Sequence, residues 1–176
     1  MLLRSTDFGP AYRAIPPTSR TSQLYCPALD ESRLTITGKG QSPTFQGGVE
    51  FASSLSRVYR TAGEAATSWA LGTTPAGKAC ARKALESQFL ASGARVVSFT
   101  RMPFPRFAER SQRYRVVIES QGLRAFVDAI ALKKGRAEVG LILGSGLTPM
   151  PIAEEIRLTS SVARRMATAM RGSQSG

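Results

Sequence analysis

Acid–base chemistry in this chain has few places to go. The 176 residues include no histidine, which removes His-based triads, histidine general bases and every histidine-containing metal site. Among the carboxylates, Asp128 stands apart because it interrupts the otherwise apolar run from Ala125 to Leu132. A carboxylate buried there must be paired or must stay protonated. The plain reading is a structural pair with a nearby arginine. The sharper one is an enzyme working through Asp128 and an arginine, which requires an Asp128 perturbed within an open pocket. No second carboxylate stands at a telling spacing, and no Ser-x-x-Lys sequence occurs to supply a Ser–Lys nucleophile.

The arginines suggest binding instead. Arg113 and Arg115 are two residues apart, so in a strand they share the face opposite Tyr114 and Val116. If neighbouring strands add Arg57, Arg101 or Lys133 on that side, the sheet carries a basic groove able to hold carboxylate or phosphate. The alternative is a solvated sheet face. Gly72-Thr-Thr-Pro-Ala-Gly77-Lys78 matches most of a phosphate-loop pattern, but Ala79 lacks the hydroxyl that Mg²⁺ needs. A phosphate loop also follows a buried strand, whereas Thr61 to Leu71 reads as a capped helix, so this stretch is expected to be a turn between helices. Gly144-Ser145-Gly146 is likewise expected to be a loop. Cys26 and Cys80 are too few for a zinc site without other ligands. A bridge between them would pin a front loop to a helix, adding about 4 kcal/mol in the chain-entropy account, and would imply an oxidising compartment. Otherwise they are two unrelated buried thiols.

The elements that must position these residues are legible in the hydrophobic period. Ser111 to Leu147 reads as a three-stranded meander. Tyr114, Val116 and Ile118 alternate in the first strand, and Ala137, Val139, Leu141 and Leu143 in the third. Gln121-Gly122 and Lys133 to Arg136 are the turns, so neighbours run antiparallel. The apolar strand from Ala125 belongs in the middle, covered on both faces. Leu34 to Thr37 is β-branched, with Gly38, Gly40 and Pro43 breaking it up. After Gly47-Gly48, the run from Val49 to Tyr59 places Val49, Phe51, Leu55 and Tyr59 on one face, with Ser53 and Arg57 between them. Ala11 to Ile15 is a possible edge strand, Thr18 to Gln23 a polar loop, and Ala94 to Phe99 another strand. Thr61-Ala-Gly-Glu64 is a capping box opening a helix. Pro75 opens a second, with Ala76, Cys80, Ala84, Leu85 and Phe89 on one stripe. A last helix runs from about Pro151 to Arg171, with Ile152, Ile156, Ala163, Met166 and Met170 on one face and Glu154 and Glu155 in its first turn. The expected fold is α+β: a twisted antiparallel sheet of about five to six strands with two to three helices packed mainly on one face. It forms a single domain over 1–172, with a disordered tail at 173–176.

Composition frames the partner. At 42% hydrophobic and 20% charged the chain is an ordinary globular one. Its net charge of +12 is not ordinary, and favours nucleic acid, acidic lipid head groups or acidic cell-envelope polymers, unless it serves solubility alone. The basic residues are scattered, and aromatic residues do not interleave with them as in a stacking platform. No apolar run approaches the ~18–20 residues of a membrane helix. Met1-Leu2-Leu3 is followed by Arg4 and Asp7, unlike a signal peptide.

The order of these features is similar to a known family. An opening Leu2-Leu3 with Asp7-x-Gly9 and Tyr12 is followed by Cys26 and Leu34-Thr-Ile-Thr-Gly38. Then come Val58-Tyr59, Ala62, Ala65-Ala66, Trp69 and Cys80, and later Tyr114-Arg115, Asp128 and Gly135-Arg136-Ala137. This resembles the extracellular sensor domains of bacterial receptor Ser/Thr kinases and related exported lipoproteins, over nearly the whole chain. The resemblance implies an antiparallel sheet with helices on one face, a cleft for an unknown ligand and no catalysis. Members usually carry two disulfides; this chain matches one, Cys26 with Cys80. It also implies a piece of a longer exported or anchored protein, with a membrane anchor or signalling domain elsewhere.

The expectation is therefore an extracytoplasmic, non-enzymatic ligand-binding or sensor domain, its ligand an unknown small molecule or anionic cell-envelope component. The binding candidates are Arg57, Tyr59, Arg101, Arg113, Arg115 and Asp128, with no cofactor and no metal implied. The alternative is a basic nucleic-acid-binding module in the cytoplasm. Thiol titration in denaturant without reductant is expected to find no free thiol; two free thiols would count against export.

Overall fold

The computed structural model describes residues 1–17, 26–90 and 93–172, with side chains at 88–90 left aside. The loop expected over Thr18 to Gln23 and the tail at 173–176 lie outside the described residues, as does the side chain of the stripe position Phe89. Eight strands form one antiparallel sheet: β1 (Arg13–Ile15), β2 (Ile36–Gln41), β3 (Thr44–Gly47), β4 (Glu50–Tyr59), β5 (Arg95–Met102), β6 (Arg110–Ser120), β7 (Leu123–Lys134) and β8 (Ala137–Gly146). Their order is β1-β3-β4-β8-β7-β6-β5, with β2 also paired to β4. The helices are α1 (Ala62–Thr73), α2 (Pro75–Leu90) and α3 (Ile152–Gly172).

The meander of β6, β7 and β8 forms as the alternation requires, with β7 between its neighbours. The sheet is larger than five to six strands because the segment after Pro43 also pairs. β2 and β3 lie end to end along β4, covering its second and first halves. At the break, Ser54 N donates to Ser42 Oγ (2.9 Å), so a side chain stands in for a backbone acceptor there. β1 is the edge strand expected within Ala11 to Ile15, whereas β3 has only four residues, too few for a period to show.

Two helices share one face of the sheet, and α3 covers the other. On the α3 face, Ile130, Leu132, Val139, Leu141 and Leu143 meet Leu158, Val162 and Met166, all almost fully buried. On the other face a smaller cluster of Ala94, Val116 and Ile118 receives Leu85 of α2. α1 opens with the expected capping box: Thr61 Oγ1 accepts from Glu64 N, and Glu64 Oε2 accepts from Thr61 N, both at 3.0 Å. The glycine–lysine stretch is the junction of α1 and α2. Thr74 Oγ1 accepts from Gly77 N at 3.0 Å, and a Cβ at Gly77 would lie 2.0 Å from the Leu71 carbonyl oxygen. That glycine is explained by close helix approach. Cys26 and Cys80 are bridged, their Cα atoms 5.7 Å apart, which ties α2 to the short helical turn Pro27–Leu29.

The expected stripe of α3 holds in its second half, where Met166 is buried and Ala163 and Met170 pack on the core, but not in its first. Glu155, Leu158, Thr159, Val162 and Met166 face inward, while Ile152 is exposed. The cause lies across the interface. Arg113 Nε donates to Asp128 Oδ1 (3.1 Å) and Arg113 Nη2 to Glu155 Oε1 (2.8 Å). Arg115 donates through Nη2 to Asp128 Oδ2 (2.8 Å). Asp128 is 1% exposed and Glu155 0%. Burial first, and then the Asp128 carboxylate, push the Glu155 carboxyl above its ordinary range. Two guanidinium groups and two carboxyls thus fix where α3 sits. Asp128→Ala would leave the arginines under-neutralised in a closed site, and a loss of about 3–5 kcal/mol in chemical denaturation is expected; a loss within about 0.5 kcal/mol, as at an ordinary surface position, would show the cluster to be dispensable.

Candidate functional site

Strand parity sorts the side chains. Residues directly opposite across an antiparallel ladder share a face. One row on the α1 side therefore runs Arg57, Glu138, Lys133, Arg110, and the next runs Leu55, Gly140, Ala131, Gln112. The second row has almost no side chain at its centre. Where α1 crosses it, a cleft of about 370 Å³ remains, lined by Trp69, Leu71, Ala131, Tyr114, Arg57 and Glu138 among others.

A hydrogen-bonded wall closes one end of this cleft. Arg57 Nη1 is 2.6 Å from Glu31 Oε2. Tyr59 OH is 2.7 Å from Ser68 Oγ and 3.1 Å from Glu31 Oε1. Ser68 Oγ is 2.7 Å from Glu31 Oε1 and 3.0 Å from Glu138 Oε2. These four contacts share only the Tyr59 and Ser68 hydroxyl protons. If Tyr59 donates to Ser68 and Ser68 to Glu31, the contact with Glu138 needs a proton from Glu138. Burial first, and the Glu31 carboxylate next, raise Glu138 from 4.5 to about 7, which supplies that proton near neutrality. Glu138 Oε1 is buried without a partner among the described residues. Burial also pushes the Tyr59 phenol up, to about 12, so it stays a neutral donor.

The sequence candidates divide between the two faces. Arg57 lines the cleft. Tyr59 is fully buried behind it and positions Ser68 and Glu31. Arg101 pairs opposite Tyr114, which puts it on the α1 side. Arg113, Arg115 and Asp128 lie beneath α3, on the opposite face. The basic groove expected from Arg113 and Arg115 together with Arg57, Arg101 and Lys133 therefore does not form, because the register gives the two sets opposite parity. Asp128 is in the structural pair that the plain reading describes, closed off by α3 rather than open to a pocket. Glu31, Ser68, Gln112 and Glu138 were not among the expected site residues. Nothing in the local sequence pattern marks them: the glycines of β8 on this face, Gly140, Gly144 and Gly146, make room for Leu55, Phe51 and Val49 of the neighbouring strand segment.

Among the described residues, no three Cys, Asp or Glu side chains converge to hold a metal, and no helix is long and apolar enough to cross a membrane. The chain matches no protein-family model and no curated protein.

Glu138 gives a pH signature with a definite sign. A carboxyl whose folded value is raised holds a proton that the unfolded chain has released, so stability is lost as pH rises from 4.5 to about 7. Glu155 adds a loss of the same sign. Glu138→Gln keeps the neutral shape at every pH. Urea midpoints measured near about pH 5 and about pH 8 are expected to differ less in the variant than in the parent; an unchanged difference would show that Glu138 is ionised in the fold.

Proposed function

We propose that this domain is an extracytoplasmic, non-enzymatic ligand-binding or sensor module, and that the cleft between α1 and the sheet is its binding site. The observation that carries this reading is the cleft itself: a space over the small side chain of Ala131 under a helix, with a single tryptophan in its wall and a polar network at one end. Ligand sites of this kind are concave and mostly apolar, with a few polar groups that orient the ligand. The Cys26–Cys80 bridge supports placement in an oxidising compartment. It also fastens the segment that brings Glu31 over Ser68. The resemblance to receptor-kinase sensor domains and exported lipoproteins supports a holding role, and with it attachment to a membrane anchor or signalling domain in the full-length protein.

The cleft is tested with anilinonaphthalene sulfonate as probe, read by energy transfer from Trp69. Ala131→Phe fills the floor and is expected to weaken probe binding by about tenfold, the worth of roughly 1.4 kcal/mol, with the circular dichroism spectrum and melting temperature of the parent. Ser53→Phe, on the same face but outside the cleft lining, controls for nonspecific effects. Equal binding by the parent and Ala131→Phe would remove the cleft as the site.

A further inference from the structure

A second hollow of about 440 Å³ adjoins the α1 cleft and shares Trp69, Thr73 and Gln112 with it. The two lie side by side at the end of α1, with these three residues bounding both, and we call them the two arms of a trough. Their chemistry differs. In the first arm Arg57 is already neutralised by Glu31; Leu29, Trp69, Leu71, Ala131 and Tyr114 give it an apolar side, with Ser68 and Glu138 at one end. In the second arm Arg101, Arg106 and Arg110 line the hollow. Its one carboxylate, Glu109, is engaged elsewhere: Oε1 accepts from Gly135 N at 3.0 Å and Oε2 lies 3.4 Å from Lys133 Nζ. Arg106 Nε donates to the Ala108 carbonyl. No carboxylate pairs with Arg101 or Arg110 among the described residues.

We propose that the trough takes a small anionic amphiphile, with a phosphate or carboxylate head over Arg101 and Arg110 and an apolar body beside Trp69 beneath α1. This rests on the reading of the α1 cleft as a ligand site and adds the class of ligand. Guanidinium groups match the oxygens of such heads in paired hydrogen bonds. Arg101 projects from β5 and Arg110 begins β6, so both are carried by the sheet, and the anion site is built on a rigid element. The position differs from that expected of Arg113 and Arg115, whose charges are spent on Asp128 and Glu155.

Trp69 is the only tryptophan and lies where the arms meet, so its emission reports both. Hexyl phosphate, hexanol and inorganic phosphate are titrated separately against the intact chain. Hexyl phosphate is expected to shift the emission at concentrations about tenfold below either of the others. In Arg101→Ala/Arg110→Ala that advantage over hexanol is expected to vanish while hexanol binding stays. Equal binding of hexyl phosphate and hexanol to the parent overturns the anion arm and leaves the cleft standing. No response to either alkyl probe overturns both. Vesicles of phosphatidylglycerol in phosphatidylcholine separate the sources: co-sedimentation reversed by hexyl phosphate assigns a lipid head group, and hexyl phosphate binding without co-sedimentation assigns a free amphiphile.

Discussion

Four ionisable side chains closed between the sheet and α3 set the rest of the structure. Arg113 and Arg115 of β6, Asp128 of β7 and Glu155 of α3 pair with one another there, all but Arg115 nearly fully buried. A single member left alone there would carry a heavy desolvation cost. The arrangement therefore selects one rotation of α3 and one register of β6 against β7. A slip of one residue would turn Asp128 away from both arginines and bury unpaired charge.

That choice decides the chemistry of the other face. Once Arg113, Arg115 and Asp128 point toward α3, the pleat turns Gln112, Tyr114, Ala131 and Lys133 toward α1. Glu138 and Arg57 follow through the register of β8 and β4. The face receives small residues at its centre and charge at its end, and α1 bridges over the gap instead of packing into it. The bridged Cys26 then brings Glu31 to the edge of this space. Polar atoms from the segment after Cys26, from β4, from α1 and from β8 converge on the Ser68 hydroxyl. Burial and the Glu31 carboxylate raise Glu138 to about 7, so it carries a proton below neutrality, while Arg57 neutralises Glu31 beside it.

The strands of the meander, the capped first helix, the junction at Gly77 and the pairing of Asp128 with arginine were all legible in residue order. Each rests on local rules: period two, a Thr–Glu cap, a helix-opening proline, the cost of a lone buried carboxylate. The stripe of α3 was legible at Ala163, Met166 and Met170 but not in the first half, because an amphipathic pattern counts apolar residues and Glu155 is buried for its charge. The combination of Arg113 and Arg115 with Arg57 and Arg101 failed for a related reason. Alternation tells which residues of one strand share a face, but nothing in it relates the faces of different strands.

The residues alone determined that the chain folds as an α+β domain on an antiparallel meander, because hydrophobic period and turn chemistry act over a few neighbours. They determined that histidine chemistry is absent, because that depends on inventory. Only the tertiary structure decided that the cysteines meet, that the arginines divide between two opposite faces, and that the cleft forms over Ala131. Those outcomes depend on register between strands and on helix placement, where side chains far apart in sequence must satisfy each other's charge and volume at once.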